Sequence, residues 1–145
     1  MANFVYTTAK KGLMDGTIDL NSHDIRALLV MTNTTCDTEE DKTFIDQFTT
    51  LDELDATNYA RVALTSEAVA ADDGNDRGEF TADAIVFSTV LNDGTRQVAG
   101  LVLFRFVTND ADSIPIAYID DGAPYTPGGG DITYTPNAEG ILQLT

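Results

Sequence analysis

The sequence predicts one mainly β domain, an antiparallel sandwich or barrel of about seven or eight strands with one or two short helices in its N-terminal half. Three observations support this fold class. The chain has 145 residues, a length typical of one domain. Its residues are 43% hydrophobic, enough to build a buried core. Apolar segments of strand length recur between clusters of Asn, Asp, Gly and Pro, without strand–helix alternation.

The N-terminal half contains the predicted helices. Residues 7–16 combine helix formers such as Leu13 with Gly16, which is typical of a helix end, and they predict one or two helical turns. Residues 37–55 place apolar side chains at spacings of three, four and seven, which favours a short amphipathic helix or two turns. The same acidic segment also fits a solvated connection with a few apolar anchors. Residues 1–8 are expected to form an N-terminal arm of the single domain 1–145.

The first predicted strands surround an acidic turn. The apolar run at residues 25–32 carries Arg26 as its only charge and is typical of a buried strand. Residues 59–70 alternate in part, and residues 80–90 alternate more fully. Because residues 72–76 are all Asp, Gly or Asn, the two segments are predicted to form a hairpin around them.

The second half of the chain continues in the same way. A turn at residues 92–94 leads into residues 96–107, the strongest strand candidate. A long loop rich in Pro and Gly is expected at residues 120–130. The remaining strands are expected at residues 114–119, where Pro115 favours an edge or a strand start, and at residues 131–135 and 140–145.

The charge balance argues against a nucleic-acid partner. The chain has 24 acidic and 8 basic side chains, which gives a formal net charge of −16. Binding to a phosphate backbone needs clustered Lys and Arg, and the basic residues here are scattered. The high apolar content argues against disorder, because a highly charged chain stays unfolded only when it is poor in apolar residues.

No membrane partner is expected either. The longest strongly apolar stretch, residues 98–107, is interrupted by Arg105 and falls short of the ~20 residues that a membrane helix needs. Residues 1–11 lack the apolar run of a signal peptide. We therefore expect synthesis inside the cell.

Residue types that carry catalysis are scarce. His23 is the only histidine and lies in a polar connection, and no serine stands in a G-x-S-x-G context. Cys36 is the only cysteine, so an internal disulfide is excluded, and the neighbouring Asp37 and Glu39 disfavour its thiolate. No glycine-rich phosphate-binding motif is present. The sequence therefore predicts a protein that is not an enzyme and needs no cofactor.

Two acidic clusters offer oxygen ligands for a cation such as Ca²⁺. The candidates in the hairpin turn are Asp73, Asn75 and Asp76. An EF-hand loop that starts at Asp73 would place Arg77 fifth and Ala84 twelfth, and neither residue fits. The alternative interpretation is a solvated hairpin tip. The second cluster consists of Asp120, Asp121 and Asp131.

Five segments in the same order resemble a known family. They are IRALLVMTNTT at residues 25–35, TTLDELDATNYARVALT at 49–65, DDGNDRGEFTADAIVFSTV at 72–90, GTRQVAGLVLFRFVTNDADS at 94–113 and NAEGILQL at 137–144. Together they resemble a widespread set of small structural proteins encoded by tailed bacteriophages. The resemblance covers most of the chain and brings no catalytic residues with it.

The resemblance implies a non-enzymatic role in the virion. The protein would be a capsid decoration or cement protein, made in the cytoplasm of the bacterial host, that binds the major capsid protein on the outside of the phage head and stabilises it. One alternative is a tail- or fibre-associated β-module that contacts the host surface or its glycans. Another is a calcium-dependent binding module.

Aromatic and apolar residues outside the predicted strands are candidates for subunit contacts. We expect a homo-oligomer, and a trimer would match the three-fold positions of a capsid lattice. Phe4, Val5 and Tyr6 near the N-terminus and Tyr125 in the Pro/Gly loop are the interface candidates, because aromatic side chains are enriched at interface cores. Ordinary packing under a loop is the alternative for each of them.

Overall fold

The computed structural model describes residues 3–92 and 96–145. The protein is mainly β, with 33% of its residues in strands and 9% in helix. Among the described residues there are one α-helix, a short 3-10 helix and ten strands in antiparallel sheets. These elements are α1 Thr7–Asp15, the 3-10 helix Ile45–Gln47, and strands β1 Phe4–Val5, β2 Ile25–Met31, β3 Val62–Ala63, β4 Ala68–Asp72, β5 Arg77–Thr81, β6 Ile85–Phe87, β7 Val98–Arg105, β8 Ile114–Ile119, β9 Ile132–Tyr134 and β10 Leu142–Leu144.

The large sheet has five strands in the order β1-β8-β7-β2-β3. Its central strands β2 and β7 pair along almost their whole length, from Ile25 opposite Arg105 to Met31 opposite Val98. Both strands are buried on both faces, which explains why the sequence shows them as continuous apolar runs rather than as alternating ones. The predictions for residues 25–32, 96–107 and 114–119 are confirmed.

Two separate apolar clusters cover the two faces of the large sheet. Leu29, Leu101 and Leu103 lie on one face and pack against helix α1 and the smaller sheets. Val30 and Phe104 lie on the other face, where the segment that carries the 3-10 helix covers them. The large sheet is therefore the middle layer of a sandwich-like fold.

Two small sheets complete the layer on the first face. β10, β5 and β4 form a three-stranded sheet, and β6 pairs with β9. The hairpin predicted around residues 72–76 is present, with β4 and β5 paired from Ala68 opposite Thr81 to Asp72 opposite Arg77. We call this three-stranded sheet, β10-β5-β4, the small sheet.

The structure has more and shorter strands than the sequence predicted. Residues 59–70 split into β3 and β4, and residues 80–90 contribute to β5 and β6. Ser66 lies at the first break with a φ of 56°, which interrupts a strand, and its hydroxyl donates a hydrogen bond to Asp83 at the second break over 2.7 Å. This hydrogen bond therefore connects the two breaks in the strands and stabilises both.

The prediction of an amphipathic helix within residues 37–55 is wrong except for the three residues Ile45–Gln47. Ile45 and Phe48 are buried as apolar anchors, which supports the alternative of an anchored connection. Glu39 accepts hydrogen bonds from the Thr35 hydroxyl at 2.6 Å and the Thr49 backbone N–H at 2.8 Å. Such side-chain bonds compete with helical ones, so the segment stays irregular.

The helix predicted at residues 7–16 is confirmed as α1. Gly16 ends it in the left-handed conformation with a φ of 77°, which glycine adopts without the steric cost of a Cβ. The turn predicted at residues 92–94 falls mostly outside the described residues. Within the residues that the structure describes, no helix is long and apolar enough to cross a membrane.

Candidate docking site

An apolar groove runs between the C-terminal end of α1 and the small sheet. Its volume is about 450 Å³, and it is open to solvent. Its apolar walls and floor include Leu13, Ile18, Val69, Phe80, Leu142 and Leu144. Ile18 and Phe80, which line the groove, are buried members of the apolar cluster on the first face of the large sheet.

The alternation of side chains along the small sheet places its apolar residues towards the groove. Phe80 lies opposite Val69 on one side and Leu142 on the other, so these three side chains share one face. Gly78 is the next residue of β5 on that face, opposite Leu144 and Ala71. No described atom lies within 4 Å of a Cβ built on Gly78, so the floor of the groove has a hollow there.

Large apolar side chains around the groove are exposed. Leu144 is 60% exposed and Val69 is 49% exposed. Contiguous exposed apolar surface of this kind is typical of contact sites between proteins.

Strand β4 forms a free edge beside this groove. Within the described residues it pairs with β5 and with no other strand. Phe80 of β5 lies opposite Val69 of β4, but its carbonyl accepts the N–H of Ile141 at 2.7 Å on the side of β5 that faces β10. Phe80 and Val69 are therefore a pair without hydrogen bonds between them. Because such pairs alternate with hydrogen-bonded ones in an antiparallel ladder, the backbone N–H and C=O groups of Val69 and Ala71 point away from β5. Asn21 occupies part of this edge, since its Oδ1 accepts the Val69 N–H at 2.8 Å.

The charged residues at the groove are acidic. Asp19 and Glu79 line it, and no lysine or arginine is found among its described lining residues. Ser22 and the backbone N–H of Asn21 donate hydrogen bonds to the carboxylate of Asp19 and lower its pKa. Asp19 therefore presents negative charge beside an apolar floor.

Arg77 holds the outer face of the small sheet together. Its guanidinium lies 2.8 Å from Glu79, 3.1 Å from Asp72 and 3.3 Å from Glu139. These contacts connect β4, β5 and the turn before β10. Arg77 and Glu79 point to the face opposite the groove, so the charge of Glu79 is compensated there, and Asp19 is left as the carboxylate at the groove.

The N-terminal interface candidates are incorporated into the fold. Phe4 and Val5 form β1 and pair with Tyr118 and Ala117 of β8. Tyr6 is fully buried, and its hydroxyl donates a hydrogen bond to the Cys36 carbonyl at 2.7 Å. The expectation that Tyr6 contacts a neighbouring subunit is thus corrected, because burial within the chain removes its ring from the surface. Phe4 and Val5 remain half-buried.

Tyr125 lies in a second cleft, of about 490 Å³, beneath the loop at residues 120–131. Tyr134 and the carboxylate-bearing Asp121 and Asp131 also line this cleft. Burial raises the pKa of Tyr125 to about 12. Tyr125 is half-buried, and its backbone pairs with Val98.

The second acidic cluster is distributed over separate hydrogen bonds. Asp131 accepts the Thr89 N–H at 2.7 Å, and Asp121 accepts the Asn3 side-chain amide at 3.0 Å. The Asp120 backbone N–H donates to the side-chain Oδ1 of Asn3 at 2.9 Å. Across residues 3–92 and 96–145, no group of three or more His, Cys, Asp or Glu side chains is placed to hold a metal ion.

The turn that carries Asp73, Asn75 and Asp76 is closed by local bonds. The side-chain amide of Asn75 donates to Asp72 at 2.6 Å, and the Gly74 N–H donates to the same carboxylate at 3.2 Å. These bonds lower the pKa of Asp72. Asp76 has a φ of 53°, typical of a tight turn.

The residues considered for nucleophilic chemistry have structural roles. Cys36 is fully buried, and burial raises the pKa of its thiol to about 12, which keeps the sulfur protonated at neutral pH. The Nδ1 atom of His23 accepts the Asp19 N–H at 3.0 Å, which closes a polar turn.

The sequence did not single out the groove. Val69, Gly78 and Leu144 lie far apart in the chain and come together only through the order of the strands. One signal was available, because residues 68–71 form an uncharged run without Lys or Pro, which is unusual for an edge strand.

Comparisons with known proteins complete this description. No family model matches the sequence, and no match to it is found among curated proteins or solved structures.

Proposed function

We propose that the protein is a non-enzymatic structural protein of a tailed-phage virion, a decoration protein that binds the outside of the head and stabilises it. Its partner is the major capsid protein. It is made in the cytoplasm of the bacterial host and reaches the assembled shell from there. The proposal starts from the resemblance of five sequence segments to phage structural proteins.

The observation that carries the proposal is the exposed apolar groove next to the free edge of β4. A net charge of −16 favours the solubility of the chain. The uncharged residues 68–71 of β4 and the exposed side chains of Val69 and Leu144 interrupt this charged surface. Apolar surface with a polar surrounding is what a protein that attaches to a large assembly requires.

A homotrimer would match three-fold positions of the shell. The half-buried Phe4, Val5 and Tyr125 are available for contacts between its subunits. Since each subunit carries a charge of −16, the subunits repel one another, and contacts between them have to be apolar or involve the few basic residues. Association should consequently strengthen as added salt screens the repulsion.

Mixing purified protein with heads that lack it tests this proposal. We expect the protein to sediment with the heads, to saturate at a copy number that matches the capsid lattice, and to raise the temperature at which the heads release DNA. Light scattering after size-exclusion chromatography gives the oligomeric state of the free protein at low and raised salt. A strict monomer that never sediments with heads would overturn the proposal.

The cleft beneath the 120–131 loop favours a second candidate function. Two tyrosines and two carboxylates line this cleft, and such groups also bind sugar hydroxyls in other proteins. A tail- or fibre-associated module that contacts host glycans would use it. Gold labelling of the protein in intact virions separates the two candidates, because many copies over the head support decoration and label confined to the tail supports host contact.

A further inference from the structure

We propose that the free edge of β4 binds an extended, positively charged polypeptide segment of another protein, which adds to the small sheet as a fourth strand. This inference rests on the proposed function, because it specifies the chemistry of the partner segment at the groove. Strand addition to a free sheet edge is a general mode of peptide recognition, in which backbone hydrogen bonds give affinity and pockets for alternate side chains give specificity.

The backbone of β4 is prepared for such a strand. Val69 and Ala71 point their N–H and C=O groups away from β5, as the hydrogen bond from Ile141 to Phe80 on the far side of β5 requires. The side chain of Asn21 already accepts the Val69 N–H at 2.8 Å, in the position that a carbonyl of an added strand would take. An incoming strand would replace this one side-chain bond by a ladder.

The side chains of β4 do not protect the edge. Proteins usually block free edges with lysine, proline or a bulge. β4 reads Ala-Val-Ala-Ala-Asp, and its pairing with β5 runs in regular register over all five residues. The first four residues are exposed, so a partner backbone can approach them closely.

Val69 provides the matching side-chain contact. An added strand would direct every second side chain to the face that carries Val69 and Ala71 of β4. An aliphatic side chain at that position would pack against Val69. Burial of the exposed part of Val69 would add to the stability of the complex.

Charge complementarity determines which occupant fits. Glu67 precedes β4 and Asp73 follows it, whereas Asp72 at its end is paired with Arg77 on the outer face. Asp19 lines the groove, and no basic residue is found among the described lining residues. A segment with lysine or arginine at both ends of an apolar centre would place cations against these carboxylates.

A second copy of the chain fits less well. Antiparallel pairing of two β4 strands about Ala70 would place Glu67 of one copy opposite Asp73 of the other. Like charges directly opposite each other destabilise a strand pair, and the whole chains carry −16 each. The partner is therefore a different, basic segment.

Synthetic peptides test the inference on the full-length protein. The probe is a fluorescent peptide of alternating valine and threonine with lysines at both ends, and the matched peptide has glutamates in place of the lysines. We expect the lysine peptide to bind at least tenfold more tightly than the glutamate peptide, with weaker binding at raised salt. Backbone amide shifts in NMR spectra should concentrate in β4. Equal affinity for the two peptides, or shifts elsewhere, would overturn the inference.

Substitutions at Ala71 test the location. Ala71→Pro removes an outward N–H without removing a β4–β5 hydrogen bond, whereas Ala71→Ser keeps the N–H. We expect Ala71→Pro to weaken peptide binding at least tenfold and Ala71→Ser to bind as the wild type does. Circular dichroism and thermal melting verify that each variant is folded.

Head sedimentation separates the inference from the proposed function. If wild type and Ala71→Pro both decorate heads equally, the inference fails and the decoration function stands. If the peptide results hold and wild type never binds heads, the function fails and the strand-addition site stands. A wild-type dimer in analytical ultracentrifugation that Ala71→Pro abolishes would assign the edge to a second copy and overturn the basic partner.

Discussion

The large sheet and the small sheet use the same alternation of side chains with opposite results. In the large sheet, β7 is covered on both faces, and Val102, Leu103 and Phe104 are all fully buried. In the small sheet, one face carries the Arg77 ion pairs and the other opens into the groove. In this protein, therefore, the buried core lies on both faces of the large sheet, whereas the small sheet leaves one apolar face partly exposed.

Glycine shows the difference most directly. Gly100 of β7 allows Tyr118 and the Ile119 carbonyl to approach, since a Cβ there would lie 2.6 Å from the Tyr118 ring and 2.8 Å from that oxygen. Gly78 of β5 faces open space. The first glycine is required by close packing, whereas the second leaves a hollow open to the groove.

Truncating a leucine in each sheet should produce the largest contrast. Leu103→Ala removes a fully buried side chain from β7 and should lower the free energy of unfolding by about 2–5 kcal/mol. Leu144→Ala, at a position that is 60% exposed, should change it by no more than about 0.5 kcal/mol. Equilibrium unfolding in urea measures both, and similar losses would contradict the division between the sheets.

Adding a methyl group to each glycine gives the next effect. Gly100→Ala should cost about 1–3 kcal/mol, because the Tyr118 ring and the Ile119 backbone must move. Gly78→Ala should be neutral or stabilising by about 0.5–1 kcal/mol, because alanine reduces the freedom of the unfolded chain and meets no atom. The same urea titration serves for both variants, and a destabilised Gly78→Ala would show that the hollow is not open.

The large sheet could be predicted from the sequence because its strands are buried on both faces and read as unbroken apolar runs at residues 25–32 and 96–107. The mainly β class and the helix that ends at Gly16 followed from equally local signals. The limits of β3 to β6 could not be predicted. They depend on the hydrogen bond between Ser66 and Asp83, two residues that are separated in sequence and meet only in the fold.

The candidate docking site could not be predicted for a related reason. Exposure of Val69 and Leu144 results from β5 lying between β4 and β10, an order that no local pattern encodes. The expectation that Tyr6 lies at an interface failed because an aromatic ring fits an interface or a core equally well. In the fold, the Tyr6 hydroxyl bonds to the Cys36 carbonyl and its ring packs against Phe48, so the side chain is part of the core.

The smallest predicted effect is on the stability of the fold at low pH, and it again compares the two regions. Hydrogen bonds from Thr35 and Thr49 lower the pKa of Glu39, beside the large sheet, to about 2 from 4.5. Hydrogen bonds from Lys11 and Thr17 lower the pKa of Asp15, at the end of α1 near the groove, to about 2 from 3.8. A carboxyl with a lowered pKa stabilises the folded state above its unfolded pKa, and this stabilisation is lost as pH falls towards the folded value.

Glu39 should contribute more to acid stability than Asp15. It connects residues 35 and 49, which are distant in sequence, so its bonds disappear on unfolding. Asp15 bonds to Lys11 and Thr17, which stay close to it even in an unfolded chain. Between pH 4.5 and pH 2, Glu39→Gln should therefore flatten the fall in melting temperature more than Asp15→Asn does. Thermal melts of the three proteins across this range measure the difference, and a larger effect of Asp15→Asn would place the acid-sensitive contacts at the groove rather than beside the large sheet.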